Sequence, residues 1–143
     1  MESQVLASQI MDRYRNLELG NIESLRDIYS EKIVFEDPAH RIEGLENMLD
    51  YFKRMYTSIN DSRFEFESVI VNQEHIALTW TMHLNHPKLN RGSPIEVAGA
   101  SVLKVNHDKI EAHRDYFDLG ALAYEHIPLI GKVVTGVKNR IGQ

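Results

Sequence analysis

Hydrophobic positions recur at the helical period in the first part of the chain and at the strand period in much of the rest. Leu6, Ile10, Tyr14 and Leu17 share one stripe, which predicts a helix ending at Gly20, a residue suited to the position just past a helix. Asn21 is placed to cap a second, short helix carrying Ile22, Leu25, Ile28 and Tyr29. Lys32 to Glu36 reads as a brief strand, stopped by Asp37-Pro38. After Gly44, the residues Leu45, Met48, Leu49, Phe52, Met55 or Tyr56, and Ile59 return at helical spacing and predict the clearest helix of the chain.

Four long strands are expected next, over Phe64 to Val71, His75 to Asn85, Ile95 to Asn106 and Lys109 to Asp118. Their connections are Asn72-Gln73-Glu74, the longer loop His86 to Pro94, and the turn His107-Asp108. Short links between consecutive strands imply an antiparallel meander. Helices first and strands afterwards make the class α+β, and a curved sheet wrapped over the helices would leave a cavity between the layers. Leu119 to Ile130 is an apolar stretch, and Lys132 to Ile141 places Val133, Val134, Val137 and Ile141 on one helical face. That last face is expected to pack on its own domain or a partner subunit rather than on a membrane.

Composition narrows the function classes. The 143 residues carry 43% hydrophobic and 26% charged side chains, which suits one globular domain spanning 1–143. A net charge of −5 argues against nucleic acid as a partner. The absence of cysteine removes disulfides, thiolate catalysis and cysteine zinc sites together. No basic leader follows Met1 and no apolar run reaches membrane-spanning length, so a cytoplasmic location without a membrane partner is expected. The seven histidines show no metal-ligand spacing, and no phosphate loop, dinucleotide fingerprint or nucleophile elbow is present. Neither a metal nor another cofactor is expected.

A few polar residues sit where chemistry could use them. Tyr14 lies on an apolar helical stripe, either as a core tyrosine or as a donor projecting into a pocket. Asp37 starts a turn at Asp-Pro, or is a carboxylate in an apolar setting able to take a proton from carbon. The strand His75 to Asn85 has an apolar face (Ile76, Leu78, Trp80, Met82, Leu84) and a polar one (Ala77, Thr79, Thr81, His83, Asn85). Alternation alone leaves open which of them turns inward. On the last strand it places His113, Asp115 and Phe117 together, an awkward set for a plain core because buried charge needs partners.

These motifs resemble the nuclear transport factor 2-like superfamily, in its SnoaL-like branch, over essentially the whole chain. Arg13-Tyr14, Gly20-Asn21 and Val34-Phe35-Glu36-Asp37-Pro38 are similar to ketosteroid isomerase. That likeness implies an oxyanion donor at Tyr14 and a proton-moving base at Asp37. The family's third group, a protonated aspartic acid, falls near Ser101, whose hydroxyl donates less strongly. Lys109-Ile110 with His113-Arg114-Asp115-Tyr116-Phe117-Asp118 resembles limonene-epoxide hydrolase and SnoaL-like polyketide cyclases, implying acid–base chemistry at Asp115. The hydrolase's Arg and second Asp align with Thr81 and His83, so its water-activating set is not reproduced, and His83 with Asp115 would form a different pair.

The resemblance implies a cone-shaped barrel of a curved, mainly antiparallel sheet over N-terminal helices, with an internal pocket. It turns Thr81 and His83 inward beside Val97, Gly99, Ser101, Leu103, His113 and Asp115, with Phe35 and Phe117 completing the binding surface. Trp80 and Met82 would face outward into a homodimer contact. The expected function is a cofactor-free isomerase, cyclase or hydrolase acting on a small hydrophobic ligand by proton transfer. The alternative is a non-catalytic ligand-binding or dimeric interaction module of the same fold.

Overall fold

In the computed structural model, residues 2–59, 61–85, 93–118, 120 and 141 are described. Helix α1 (Glu2–Arg15) buries Leu6, Ala7 and Ile10 beneath the sheet. It stops short of the expected Gly20 because the Asn16 amide side chain donates to the Asp12 carbonyl, while the Leu17 N–H turns back to the Tyr14 carbonyl. Leu17 is nonetheless buried. The second helical piece is a 3-10 stretch, Leu19–Asp27. Asn21 is not its cap; it lies inside the stretch and its side-chain oxygen accepts the Glu18 N–H.

Strand β1 (Tyr29–Glu36) starts three residues earlier than its alternation suggests. A turn at Asp37 leads into a three-residue strand that the sequence does not announce, β2 (Arg41–Glu43). Gly44, at φ 92°, then reverses the chain into α2 (Leu45–Ser58), a conformation that favours glycine. Leu45, Met48, Leu49 and Phe52 form the buried face of α2, as the period predicts.

The other strands are β3 (Asp61–Val71), β4 (His75–Asn85), β5 (Ile95–Asn106) and β6 (Lys109–Phe117). The last two join through His107 and Asp108, both at positive φ, the geometry of a tight hairpin turn. The sheet is mostly antiparallel, curved and unclosed, with order β2-β1-β6-β5-β4-β3. The parallel pairing of β1 with β6 closes the meander against the N-terminal half and sets Phe35 beside His113. Helices first and a strand meander afterwards make this an α+β fold.

Burial decides the faces. Ile76, Leu78, Trp80 and Leu84 of β4 are buried with Val97, Ser101 and Leu103 of β5 and His113 of β6. The expectation that Trp80 and Met82 face outward is therefore reversed. Alternation has period two, so a one-residue change of face exchanges every side chain on the strand. Removing four apolar side chains from water, at about 1.5–3 kcal/mol each, outweighs any need of Thr81 or His83 for shelter. The expected helices at Leu119 to Ile130 and Lys132 to Ile141 lie outside the described residues, apart from Gly120 and Ile141. Among the described residues, no helix is long and apolar enough to cross a membrane.

Candidate functional site

Between α2, the N-terminal end of β3 and the open end of the sheet lies a cavity of about 370 Å³. Its walls are mostly apolar, with Phe35, Phe52, Phe64, Met82 and Phe117 contributing aromatic and thioether surface. Tyr14 and Asp37, from α1 and the end of β1, both line it. A space of this size is within the range that holds a small organic molecule.

Asp37 stands at the cavity wall in a turn it builds itself. Its Oδ1 accepts the backbone N–H groups of Ala39 and His40, both at 2.8 Å, with the His40 ring at 3.3 Å. Its Oδ2 accepts the Tyr51 hydroxyl at 3.1 Å. Burial, followed by the neighbouring Asp37 charge, pushes the Tyr51 phenol well above its ordinary range, so it stays a donor. Both readings of Asp37 hold at once, as a turn former and as a carboxylate on the cavity.

Behind the opposite wall, six side chains from five elements form one hydrogen-bonded chain. The Tyr14 and Tyr29 hydroxyls lie 2.8 Å apart, and Tyr29 is 2.7 Å from His113 Nδ1. His113 Nε2 is 2.6 Å from Asp115 Oδ1, which also accepts the Ser101 hydroxyl at 2.6 Å. Trp80 Nε1–H donates to Ser101 at 2.8 Å. Strand register builds this chain, since β5 and β6 pair Ser101 with Asp115 and Leu103 with His113. The indole reaches Ser101 only because Gly99 lacks a side chain; a Cβ there would run into the Trp80 six-membered ring.

Burial raises both the Tyr14 and Tyr29 phenols well above the usual tyrosine range. For Tyr14, the neighbouring Tyr29 and then the Asp115 charge add to the effect. Neither phenol therefore stands as a tyrosinate at neutral pH, and each transmits a proton only by giving one as it takes another.

The structure brings some expected residues together and separates others. Tyr14, Phe35, Asp37 and Phe117 line the cavity. Val97 and Leu103 are packed core, and Gly99 is the floor beneath Trp80. Ser101 spends its hydroxyl on Asp115 rather than aiming it at a ligand. Asp115 and His113 sit one layer behind the cavity, joined to it through Tyr29 and Tyr14.

Thr81 and His83 are on the opposite face of the sheet. Thr81 donates to Glu67, and His83 lies between Glu65 and Glu96. An acid–base pair of His83 with Asp115 is therefore excluded by the side each occupies. Arg63 first, and His83 second, hold the Glu65 carboxyl below its ordinary range, as befits a surface charge cluster. Sequence reasoning missed Tyr29, Tyr51 and His40 as site residues. Tyr29, expected on the second helix, starts β1 instead, and its partner His113 lies 84 positions away.

The SnoaL-like domain family model matches residues 12–113, a span that holds Tyr14, Asp37 and His113. Among solved structures, the fold is similar to an epoxide hydrolase of the limonene-epoxide hydrolase type from M. tuberculosis, at 17% identity and TM-score 0.68, over 82% of this chain and 84% of that one. It is also similar to a nuclear transport factor 2-like protein of unknown function from Burkholderia pseudomallei (11% identity, TM-score 0.75, 85% and 95% covered). A third is a protein with a ketosteroid isomerase-like fold from Catenulispora acidiphila, in complex with trimethylamine (14%, 0.71, 81% and 87%). No curated protein sequence matches the chain. With the family match running from α1 to the middle of β6, across the elements that build the cavity, the chain belongs to the SnoaL-like domain family.

Proposed function

We propose that this protein binds a small, largely apolar molecule in the cavity and moves a proton on it without a cofactor. The observation that carries the reading is that Tyr14 and Asp37, from separate elements, line one apolar cavity. Asp37 Oδ2 is the oxygen free of the turn and takes a proton from carbon, while Tyr51 steadies that oxygen and the His40 ring stands 3.3 Å from Oδ1. Tyr14 holds the ligand oxygen whose charge grows as the proton leaves. The reaction class is isomerisation, cyclisation or hydration. The named relatives include an epoxide hydrolase and a protein with a ketosteroid isomerase-like fold, which lends support at the level of fold.

Deuterium exchange tests this. A panel of hydrophobic cyclic ketones in heavy water should gain deuterium beside the carbonyl with the wild type, about 10²-fold or more faster than with Asp37→Asn. No enzyme-dependent incorporation into any ketone, from a protein whose melting point the same ketones raise, would favour binding without turnover. That second reading draws on the service of Asp37 Oδ1 to the turn, which alone accounts for an aspartate at this position. For a homodimer partner, the exposed outer-face residues Ile70, Val102 and Tyr116 replace Trp80 and Met82 as the proposed contact. Ile70→Lys should then lower the mass found by sedimentation.

A further inference from the structure

The Tyr14–Tyr29–His113–Asp115 chain has two possible directions of hydrogen bonding, and they give the cavity opposite chemistry. With Asp115 a carboxylate and His113 neutral, Nε2–H donates to Asp115 and Nδ1 accepts from Tyr29. Tyr29 then accepts from Tyr14. In that state the Tyr14 oxygen offers the cavity a lone pair. If the dyad holds one more proton, His113 Nδ1–H donates to Tyr29, Tyr29 donates to Tyr14, and the Tyr14 O–H is released towards the cavity. No atom needs to move far, because every link is already 2.6–2.8 Å long.

We propose that His113, held by Asp115, is the proton acceptor for an acidic hydroxyl ligand, a phenol or an enol, reached through Tyr29 and Tyr14. The ligand O–H bond breaks and its proton bonds to the Tyr14 oxygen. The Tyr14 proton passes to Tyr29, the Tyr29 proton passes to His113 Nδ1, and the O–H electron pair stays on the ligand. The products are a ligand oxyanion, held by the reversed Tyr14 O–H, and an imidazolium beside the Asp115 carboxylate. Run backwards, the same chain returns the proton to the ligand oxygen. His113 and Tyr29 are positioning residues here, since only Tyr14 meets the ligand.

The groups around the imidazole suit this. Asp115 faces it from β6, Tyr29 and Phe35 from β1, Tyr14 from α1, and Leu103 pairs with it from β5, while Ser101 holds Asp115. Asp115 Oδ1 is the carboxyl oxygen beside the ring, 2.6 Å from Nε2. His113 is 3% exposed and its partner Asp115 18%, and Tyr29 with Tyr14 links the ring to the cavity.

This inference rests on the cavity of the proposed function but not on Asp37. It is tested with para-nitrophenol, whose anion is coloured, at a pH where the free probe is mostly neutral. The wild type should bind the coloured anion while releasing almost no proton to solvent, read from the buffer dependence of the binding enthalpy. Histidine-selective nitrogen NMR should show His113 Nδ1 becoming protonated in the complex. Tyr29→Phe cuts the relay and should bind the probe colourless, or bind the anion with release of about one proton per site. Wild type that releases the proton as Tyr29→Phe does, or a His113 signal unchanged by the probe, overturns the relay and leaves the ligand cavity standing. Failure of the wild type to bind the probe overturns both. The NMR reading is made on the wild type, so it decides the matter even if Tyr29→Phe folds poorly.

Discussion

Two clusters of aspartate, histidine and tyrosine flank the cavity, and they are built in opposite ways. Asp37, His40 and Tyr51 stand at the wall, where His40 is 51% exposed, while the Asp37 side chain is 9% exposed and anchored by two N–H groups of its own turn. Tyr14 lines the cavity from α1, and Tyr29, His113 and Asp115 stand behind it on β1 and β6, with Asp115 18% exposed. The first carboxylate is held largely by backbone that water can reach. The second is held by side chains that must satisfy one another, because an unpaired polar atom inside costs its full desolvation. Like residues are therefore held by different means: one carboxyl group by the backbone of its own turn, the other by side chains from separate elements.

The sharpest way to break that comparison is Asp115→Ala. It strands the His113 Nε2–H and the Ser101 hydroxyl, and should cost about 2–4 kcal/mol in urea unfolding. Asp37→Ala should cost about 1 kcal/mol or less, since its turn amides can turn to water. Equal losses would erase the distinction. Gly99→Ala comes next. Overpacking against the Trp80 ring should cost about 1–3 kcal/mol and alter the near-ultraviolet tryptophan signal as the Ser101 bond is disturbed. Asp37→Asn keeps an oxygen for the turn, so it should hold stability within about 1 kcal/mol while losing proton transfer.

The smallest effect belongs to the outer charge cluster, which acts as a control. Hydrogen bonds from Arg26, then Lys53, push the Glu23 carboxyl from 4.5 down to about 2. A depressed folded value means the stabilisation is present above 4.5 and is lost as pH falls towards 2. Because Glu23 is fully exposed, the loss should be slight, and Arg26→Ala should flatten it in acid unfolding curves. A large effect there would mean that stability resides in surface pairs rather than in the buried chain.

Much of the fold was legible. The bounds of β4 and β5 match the alternation, and α2 follows its apolar stripe from Leu45 to Phe52. The family likeness turns the polar face of β4 inward, whereas the apolar residues in alternate positions from Ile76 to Leu84 turn the other face to the core. The sites divided in the same way. Tyr14 and Asp37 were readable as candidates, and the grouping of His113 with Asp115 followed from alternation. Ser101 was read as a ligand donor, yet it serves Asp115. Asn21 was read as a cap, yet its side chain closes a turn from within.

What the sequence alone determined is what depends on near neighbours: the helical and strand periods, the His107-Asp108 turn, the Asp37 turn, and the residue types available for proton transfer. Their physics is local, since side-chain direction repeats every two or 3.6 residues and a turn closes over a few atoms. Tertiary structure decided which face of β4 is wet, which polar atoms meet, and which aspartate reaches the cavity. Those outcomes hang on strand order, above all the parallel pairing that brings β1 to β6 and Tyr29 to His113. No local pattern carries that meeting, because it exists only once apolar burial has set the whole sheet in register.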